Sequence, residues 1–238
     1  MRIVGVLCAY DERPHWLAAA VSGFAQVCDE IVYVDGSYAL YPQARARSHP
    51  AECEAVTQAC EAAGVGLVSY RPSDVFAGNE VEKRNHSLRL AGTLDPDWVV
   101  VFDADHHVTR CNPDLLRYDL AETELNAATY RVVESDGETK WVTRLRCIYR
   151  WTDDLAYGPA HWTISGTYAD KEWLRGPDHL PGHAASPALN LDSLECAHRT
   201  GDRLTERRDA MTAYNTIRDT YEVESVDPAI FEAERALA

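Results

Sequence analysis

The run Asp97-Trp98-Val99-Val100-Val101-Phe102-Asp103-Ala104-Asp105 decides the fold. Its unbroken apolar centre marks a strand buried on both faces, the kind found in parallel sheets covered by helices on both sides. The chain upstream supplies the matching elements. Ile3-Val4-Gly5-Val6-Leu7 is a short apolar run. Pro14 opens a helix in which Leu17, Val21, Phe24 and Val27 share one face. Ile31-Val32-Tyr33-Val34 reads as a strand stopped by Asp35-Gly36-Ser37. Pro50 precedes a helix carrying Val56, Ala59, Cys60 and Ala63, and Gly64 is placed as its C-terminal stop. Val65 to Tyr70 is a further strand, and Asn79 with Glu82 predicts a capped helix running to about Gly92. This β-α-β-α-β-α-β order predicts an α/β chain with a doubly wound, mainly parallel sheet.

Beyond Asn112-Pro113 the pattern changes. Ala127 to Glu134 and Lys140 to Tyr149 resemble strands joined through Asp136-Gly137, a hairpin turn signal. Residues 152–195 are rich in Gly, Pro, Asp and His and read as loops. A last helix over about 203–220 places Leu204, Met211, Tyr214 and Ile217 on one face, ahead of an acidic tail from Glu222. One continuous domain is expected, with a ligand-binding half over 1–110 and a smaller mixed or antiparallel half with its C-terminal helix over 111–238.

The 238 residues carry 23 basic and 38 acidic side chains, a net charge of −15. That balance is poor for gripping a phosphate backbone by bulk electrostatics. No apolar run approaches the roughly 18 residues of a membrane span, and the N-terminus enters a strand pattern rather than a signal peptide. The seven cysteines are scattered without a CxxC pair, which points to reduced, packed thiols and a cytoplasmic protein.

Ligands of open α/β sheets bind beyond the carboxyl ends of the parallel strands. Acidic residues occupy those ends here: Asp11-Glu12, Asp35, and Asp103-Ala104-Asp105. An Asp-x-Asp step at a strand end presents hard oxygen ligands to Mg²⁺ or Mn²⁺, which also ligate phosphate oxygens. His106 and His107 follow at once, so an imidazole can join or replace a carboxylate; for His106 an exposed loop position is expected. Lys83 and Arg84 bring positive charge to the same acidic rim, as a diphosphate requires.

Four segments in order, Val6 to Glu12, Glu30 to Ser37, Glu82-Lys83-Arg84-Asn85 and Asp97 to Asp105, resemble family-2 glycosyltransferases of the GT-A fold. Arg144-Leu145-Arg146, Tyr157-Gly158-Pro159-Ala160-His161 and Cys196-Ala197-His198-Arg199 are similar to looser patterns downstream. The resemblance implies that Asp11 and Asp35 contact the base and ribose of a nucleotide-sugar donor, with Tyr10 beside the base. It implies Lys83 or Arg84 at the diphosphate or sugar, Asp103 at the ribose or sugar, and Asp105 on Mn²⁺ or Mg²⁺ with His198 completing the metal shell or touching phosphate. The implied reaction is metal-dependent, inverting transfer of a glycosyl group to an acceptor hydroxyl.

Two positions depart from the family pattern. The acidic residue often found after Asp-x-Asp is His106, and the one often found after the Gly-x-x-His histidine is Trp162. The second departure leaves the base to Asp153, Asp154 or His161 in the loop-rich stretch, with Asp154 preferred and His161 next. A nucleotidyltransferase of similar fold and a non-catalytic nucleotide-sugar-binding module are the alternatives. The former uses a Gly-rich early loop, and Leu7 to Pro14 contains no glycine. A glycan, a metabolite, a protein or a hydroxylated nucleobase all remain open as acceptor. Arg199, Arg203, Arg207 and Arg208 are read as a helix face rather than a nucleic-acid grip.

Overall fold

The computed structural model describes residues 1–39, 41, 44–77, 80–135, 139–158, 164–168, 171–175 and 187–198. Its first half alternates β1 (Ile3–Cys8), α1 (Pro14–Phe24), β2 (Glu30–Val34), α2 (Pro50–Ala63), β3 (Gly66–Tyr70), α3 (Glu80–Gly92) and β4 (Trp98–Phe102). They are followed by β5 (His106–Cys111), α4 (Pro113–Glu122), β6 (Ala127–Ser135), β7 (Lys140–Arg150), β8 (Ala156–Tyr157), β9 (Ile164–Tyr168), β10 (Lys171–Arg175) and β11 (Leu189–His198).

Eight strands form the main sheet in the order β3-β2-β1-β4-β7-β6-β11-β5, and β10-β9-β8 form a small second sheet. The β3-β2-β1-β4 half is parallel throughout. β7 enters antiparallel to β4 and β6, while β11 runs parallel to β6 and antiparallel to β5. The expected doubly wound half and its mixed extension are both present, and this strand order is GT-A-like.

Double winding is written in the side-chain alternation of the strands. Ile3, Leu7, Ile31, Tyr33, Trp98, Val100 and Phe102 enter one core with Leu17, Val21 and Phe24 of α1, Val56 and Cys60 of α2, and Leu116 and Leu120 of α4. Their neighbours Val4, Val6, Val32, Val34, Val99 and Val101 enter a second core with Leu88 and Ala91 of α3 and with Tyr157 and Ile164 of the small sheet. Period-two alternation thus loads both faces with apolar groups, which is why the strands read as continuous runs.

One constraint shapes the second half. In a flat sheet the four inter-strand steps from β4 to β5, at about 4.8 Å each, would separate them by about 19 Å. The chain joins Phe102 to His106 through only Asp103, Ala104 and Asp105, a span of at most about 14 Å. The sheet must therefore curl so that β5 returns over α1. Gly23 makes this closeness tolerable: a Cβ there would lie 2.8 Å from Val108 Cβ on β5. Phe24 stacks on Phe102 at 4.2 Å and meets Tyr130 edge-on at 5.9 Å, filling the inside of the curl.

Helix ends follow ordinary chemistry. Gly64 closes α2 at φ 71°, a left-handed conformation natural to glycine. Asn112 caps α4 by accepting from the Leu115 N–H at 3.1 Å, with Pro113 in the first turn.

Several elements correct the sequence expectation. The 152–195 stretch, expected as loops, holds the small sheet and most of β11, which lies inside the main sheet. Along β11 the buried residues Leu191, Ser193, Leu194 and Cys196 break strict alternation, and the register shifts at Glu195/Cys196. That irregularity hides the strand from a period-two reading. α4 and β5 are also additional: the first has a narrow apolar stripe and the second is a polar edge strand. The Asp136-Gly137 turn and the 203–220 helix lie outside the described residues.

Candidate functional site

Because β1, β2 and β4 are parallel, their carboxyl ends share one rim. Asp11, Asp35 and Asp103 to Asp105 all stand on it, but their environments differ sharply.

Asp35 is fully buried. Its carboxylate accepts from the Gly36 N–H at 2.7 Å, the Ser48 N–H at 3.2 Å and Arg71 Nε at 3.0 Å. Arg71 also donates to the Ser48 carbonyl at 2.9 Å, so Asp35 fastens the 45–48 segment and β3's end to β2. Asp11, by contrast, is half exposed and pairs with Arg45 at 2.9 Å. Its backbone is left-handed, φ 55°, and its N–H donates to Ser48 Oγ at 2.8 Å. The neighbouring Glu12 N–H donates to the buried Glu52 carboxylate at 2.9 Å. Burial pushes Glu52 up to about 7 against these hydrogen bonds, helped by the negative charges of Asp35 and Asp11. Tyr10 packs edge-on to Tyr41, and its hydroxyl oxygen accepts from Arg45 Nε at 3.2 Å.

The Lys83-Arg84-Asn85 triplet divides three ways. Lys83 is buried, donating from Nζ to the carbonyls of Ala9 (2.7 Å) and Gly36, which ties the ends of β1 and β2 together. Arg84 donates to Glu80 at 2.7 Å and lies 3.6 Å from Asp103 Oδ1, with its guanidinium over the Tyr157 ring. Asn85 exchanges two hydrogen bonds with the Tyr157 backbone, locking α3 to the small sheet. Of the Lys83-Arg84 pair, Lys83 is enclosed, and Arg84 is the one that stands beside Asp103.

The Asp-x-Asp step separates into an open and a closed carboxylate. Asp103 has 42% of its side chain exposed, while Asp105 has 1%. Asp105, His106 and His198 each place one ligand atom so that all lie within 4.8 Å of one another. The strand pairing explains the convergence: His198, last in β11, is the register partner of His106, first in β5. Their rings sit 5.0 Å apart. His198 Nε2 lies 3.3 Å from Asp105 Oδ2, and Nδ1 lies 2.7 Å from Glu134 Oε2 on β6. Burial opposes charge on His198, but the Asp105 and Glu134 carboxylates prevail and raise it to about 9.

His106 is a correction: it is not an exposed loop residue but 3% exposed at the start of β5, with Nδ1 3.1 Å from the Tyr130 hydroxyl. Burial lowers its basicity, against the nearby Asp103 and Asp105 carboxylates. The His-His-Val-Thr-Arg-Cys composition offered no apolar alternation to announce this strand. The donor set of one carboxylate and two imidazoles fits a first-row transition ion, with Mn²⁺ the hardest of them, and is less suited to Mg²⁺, which prefers oxygen.

Asp154 is exposed in the turn before β8 and accepts from the Thr167 N–H of β9 at 2.9 Å. That hydrogen bond holds its carboxyl below the ordinary range. His161 lies outside the described residues. Glu52, Glu134 and Tyr130 were not singled out from sequence, since nothing local marks a strand or helix residue that acts by facing another element.

No helix among the described residues is long and apolar enough to cross a membrane. No protein-family model matches the chain, and no curated protein matches it. Among solved structures, S. aureus TarS in complex with UDP-GlcNAc is 14% identical over 58% of this chain and 36% of its own, at TM-score 0.43. Glucosyl-3-phosphoglycerate synthase from Mycobacterium tuberculosis, solved with Mn²⁺, UDP-glucose and phosphoglyceric acid, is 19% identical over 57% of this chain and 44% of its own, at TM-score 0.34. A CMP:2-keto-3-deoxy-manno-octonic acid synthetase complexed with CTP is 11% identical over 63% of this chain and 74% of its own, at TM-score 0.35. The chain spans less than half the length of the first two proteins. At TM-scores this low these likenesses carry no argument, and the mixed α/β architecture stands on the chain's own strand order.

Proposed function

We propose that this chain transfers a glycosyl group from a nucleoside-diphosphate sugar to an acceptor hydroxyl, with inversion, using Mn²⁺ or Mg²⁺ at Asp105 and His198. One observation carries the proposal: a buried carboxylate–imidazole group at the strand-end rim, directly beside the exposed Asp103 and the Arg84 that faces it. A divalent ion held there supplies neutralising charge to a departing diphosphate.

The chain's own residues provide the rest. Arg84 offers a guanidinium to phosphate or sugar oxygens, and Asp103 accepts from ribose or sugar hydroxyls. Asp11, half exposed, accepts from the base or ribose, with the Tyr10 ring as a wall. Asp35 supports this donor site from beneath, by holding Ser48 and Arg71 in place. The acceptor side falls to the β8–β9 region, where Asp154 or His161 is the base that takes the hydroxyl proton.

Calorimetric titration of UDP, GDP and their sugars, with and without Mn²⁺, tests donor binding. Sugar release to water or acceptor then separates enzyme from binding module. Asp105→Ala should abolish metal-dependent donor binding and turnover; if both persist, the metal assignment is wrong.

A further inference from the structure

We infer that His106 is a third protein ligand of the metal, positioned by the Tyr130 hydroxyl, and that this second imidazole selects Mn²⁺-like ions over Mg²⁺. The inference rests on the metal site proposed above and adds to it a ligand and a selection rule. A carboxylate from the β4–β5 turn and one imidazole from β11 would suffice to hold an ion beside a diphosphate. The fold adds a second imidazole because the curl of the sheet and the β5–β11 register bring His106 opposite His198.

Both imidazoles are oriented from behind. His198 turns Nδ1 to the Glu134 carboxylate at 2.7 Å, leaving Nε2 toward Asp105. His106 turns Nδ1 to the Tyr130 hydroxyl at 3.1 Å, which leaves Nε2 as its ligand atom. The Asp103 N–H points at the same Nδ1 from 3.5 Å, the outer limit of a hydrogen bond, a contact that belongs to the other tautomer and is given up when Nδ1 carries the proton to Tyr130. A neutral imidazole that donates Nδ1–H to a fixed oxygen presents its Nε2 lone pair in a set direction, the arrangement by which outer partners tune metal-binding histidines. Tyr130 is fully buried and wedged against Phe24, so its hydroxyl is held in place.

Selection follows from ligand chemistry. Imidazole nitrogen favours first-row transition ions, increasingly from Mn²⁺ to Cu²⁺, and even the hard Mn²⁺ accepts it better than Mg²⁺, which favours an all-oxygen shell and gains little from it. His106 therefore stabilises one class of ion and not the other. Asp103, open to solvent on the far side of the turn, is left for substrate.

The test uses the whole chain and metal alone. Pulsed EPR of the Mn²⁺-loaded protein counts coordinating imidazole nitrogens, and calorimetry gives affinity for Mn²⁺ and for Mg²⁺. Wild type should show two imidazoles, and His106→Gln one, with Mn²⁺ affinity down at least about tenfold and Mg²⁺ affinity nearly unchanged. Tyr130→Phe, which keeps the ring and its packing, should retain two imidazoles but lose about 10–100-fold in Mn²⁺ affinity. One imidazole in wild type, with Mn²⁺ affinity unmoved in both variants but lost in Asp105→Ala, overturns the role of His106 and leaves the metal site standing. No Mn²⁺ binding by folded wild type overturns both. If His106→Gln does not fold, the wild-type imidazole count and Tyr130→Phe decide the matter.

Discussion

Glu52 gives the sharpest prediction outside the metal centre. It lies in the first turn of α2, 2% exposed, with its carboxylate accepting the Glu12 N–H. Burial raises it from an ordinary 4.5 to about 7. Between those values the folded chain keeps a proton that the unfolded chain has released. Since the slope of unfolding free energy with pH follows the protons bound unfolded minus folded, stability falls as pH rises through this window and levels off above it. At 1.36 kcal/mol per pH unit the whole interval sets a ceiling of about 3 kcal/mol. Glu52→Gln removes the charge while its amide oxygen still accepts from Glu12. Urea unfolding at about pH 5 and about pH 8.5, for wild type and variant, isolates the effect as a difference of differences. The variant should gain about 2–3 kcal/mol at the higher pH and less than about 1 at the lower. An equal difference at both pH values, or a loss at the higher one, would refute the reasoning. It would mean that the Glu12 N–H and the α2 N-terminus outweigh desolvation.

Other predictions follow the same residues. Glu134→Gln weakens the orientation of His198 and should lower Mn²⁺ affinity by about 10–100-fold, read by calorimetry with the fold checked by circular dichroism. Lys83→Met leaves the Ala9 and Gly36 carbonyls without their ammonium donor. Stability should fall by about 1–3 kcal/mol per carbonyl in a denaturant titration, whereas a diphosphate ligand would chiefly lower donor affinity. Gly23→Ala should destabilise despite a helix-propensity gain of about 0.5–1 kcal/mol. The new methyl would lie 2.8 Å from Val108, an overpacking cost of about 1–3 kcal/mol, and Val108→Ala in the same chain should recover part of it.

The sequence by itself determined the parallel half of the sheet. Fully buried strands are written as continuous apolar runs, and Pro14, Pro50 and Gly64 punctuate the helices by local backbone chemistry. The carboxylates on the rim were legible for the same reason, because parallel strands send their carboxyl ends to one side. Local signals ended where pairing became non-local. β11 is too irregular and β5 too polar to show a period; β11 is held between β6 and β5, and β5 is a strand because β11 is beside it. The same pairing brings His198, 92 residues downstream, across from His106 and sets Glu134 and Tyr130 behind them. Burial likewise divided residues that look alike in the chain. Asp103 stays open while Asp105 is closed, and Lys83 is enclosed while Arg84 reaches the rim. The short link at the end of β4 closes Asp105 in beside β11, and the carbonyls after β1 and β2 enclose Lys83; both are non-local contacts that no local pattern encodes.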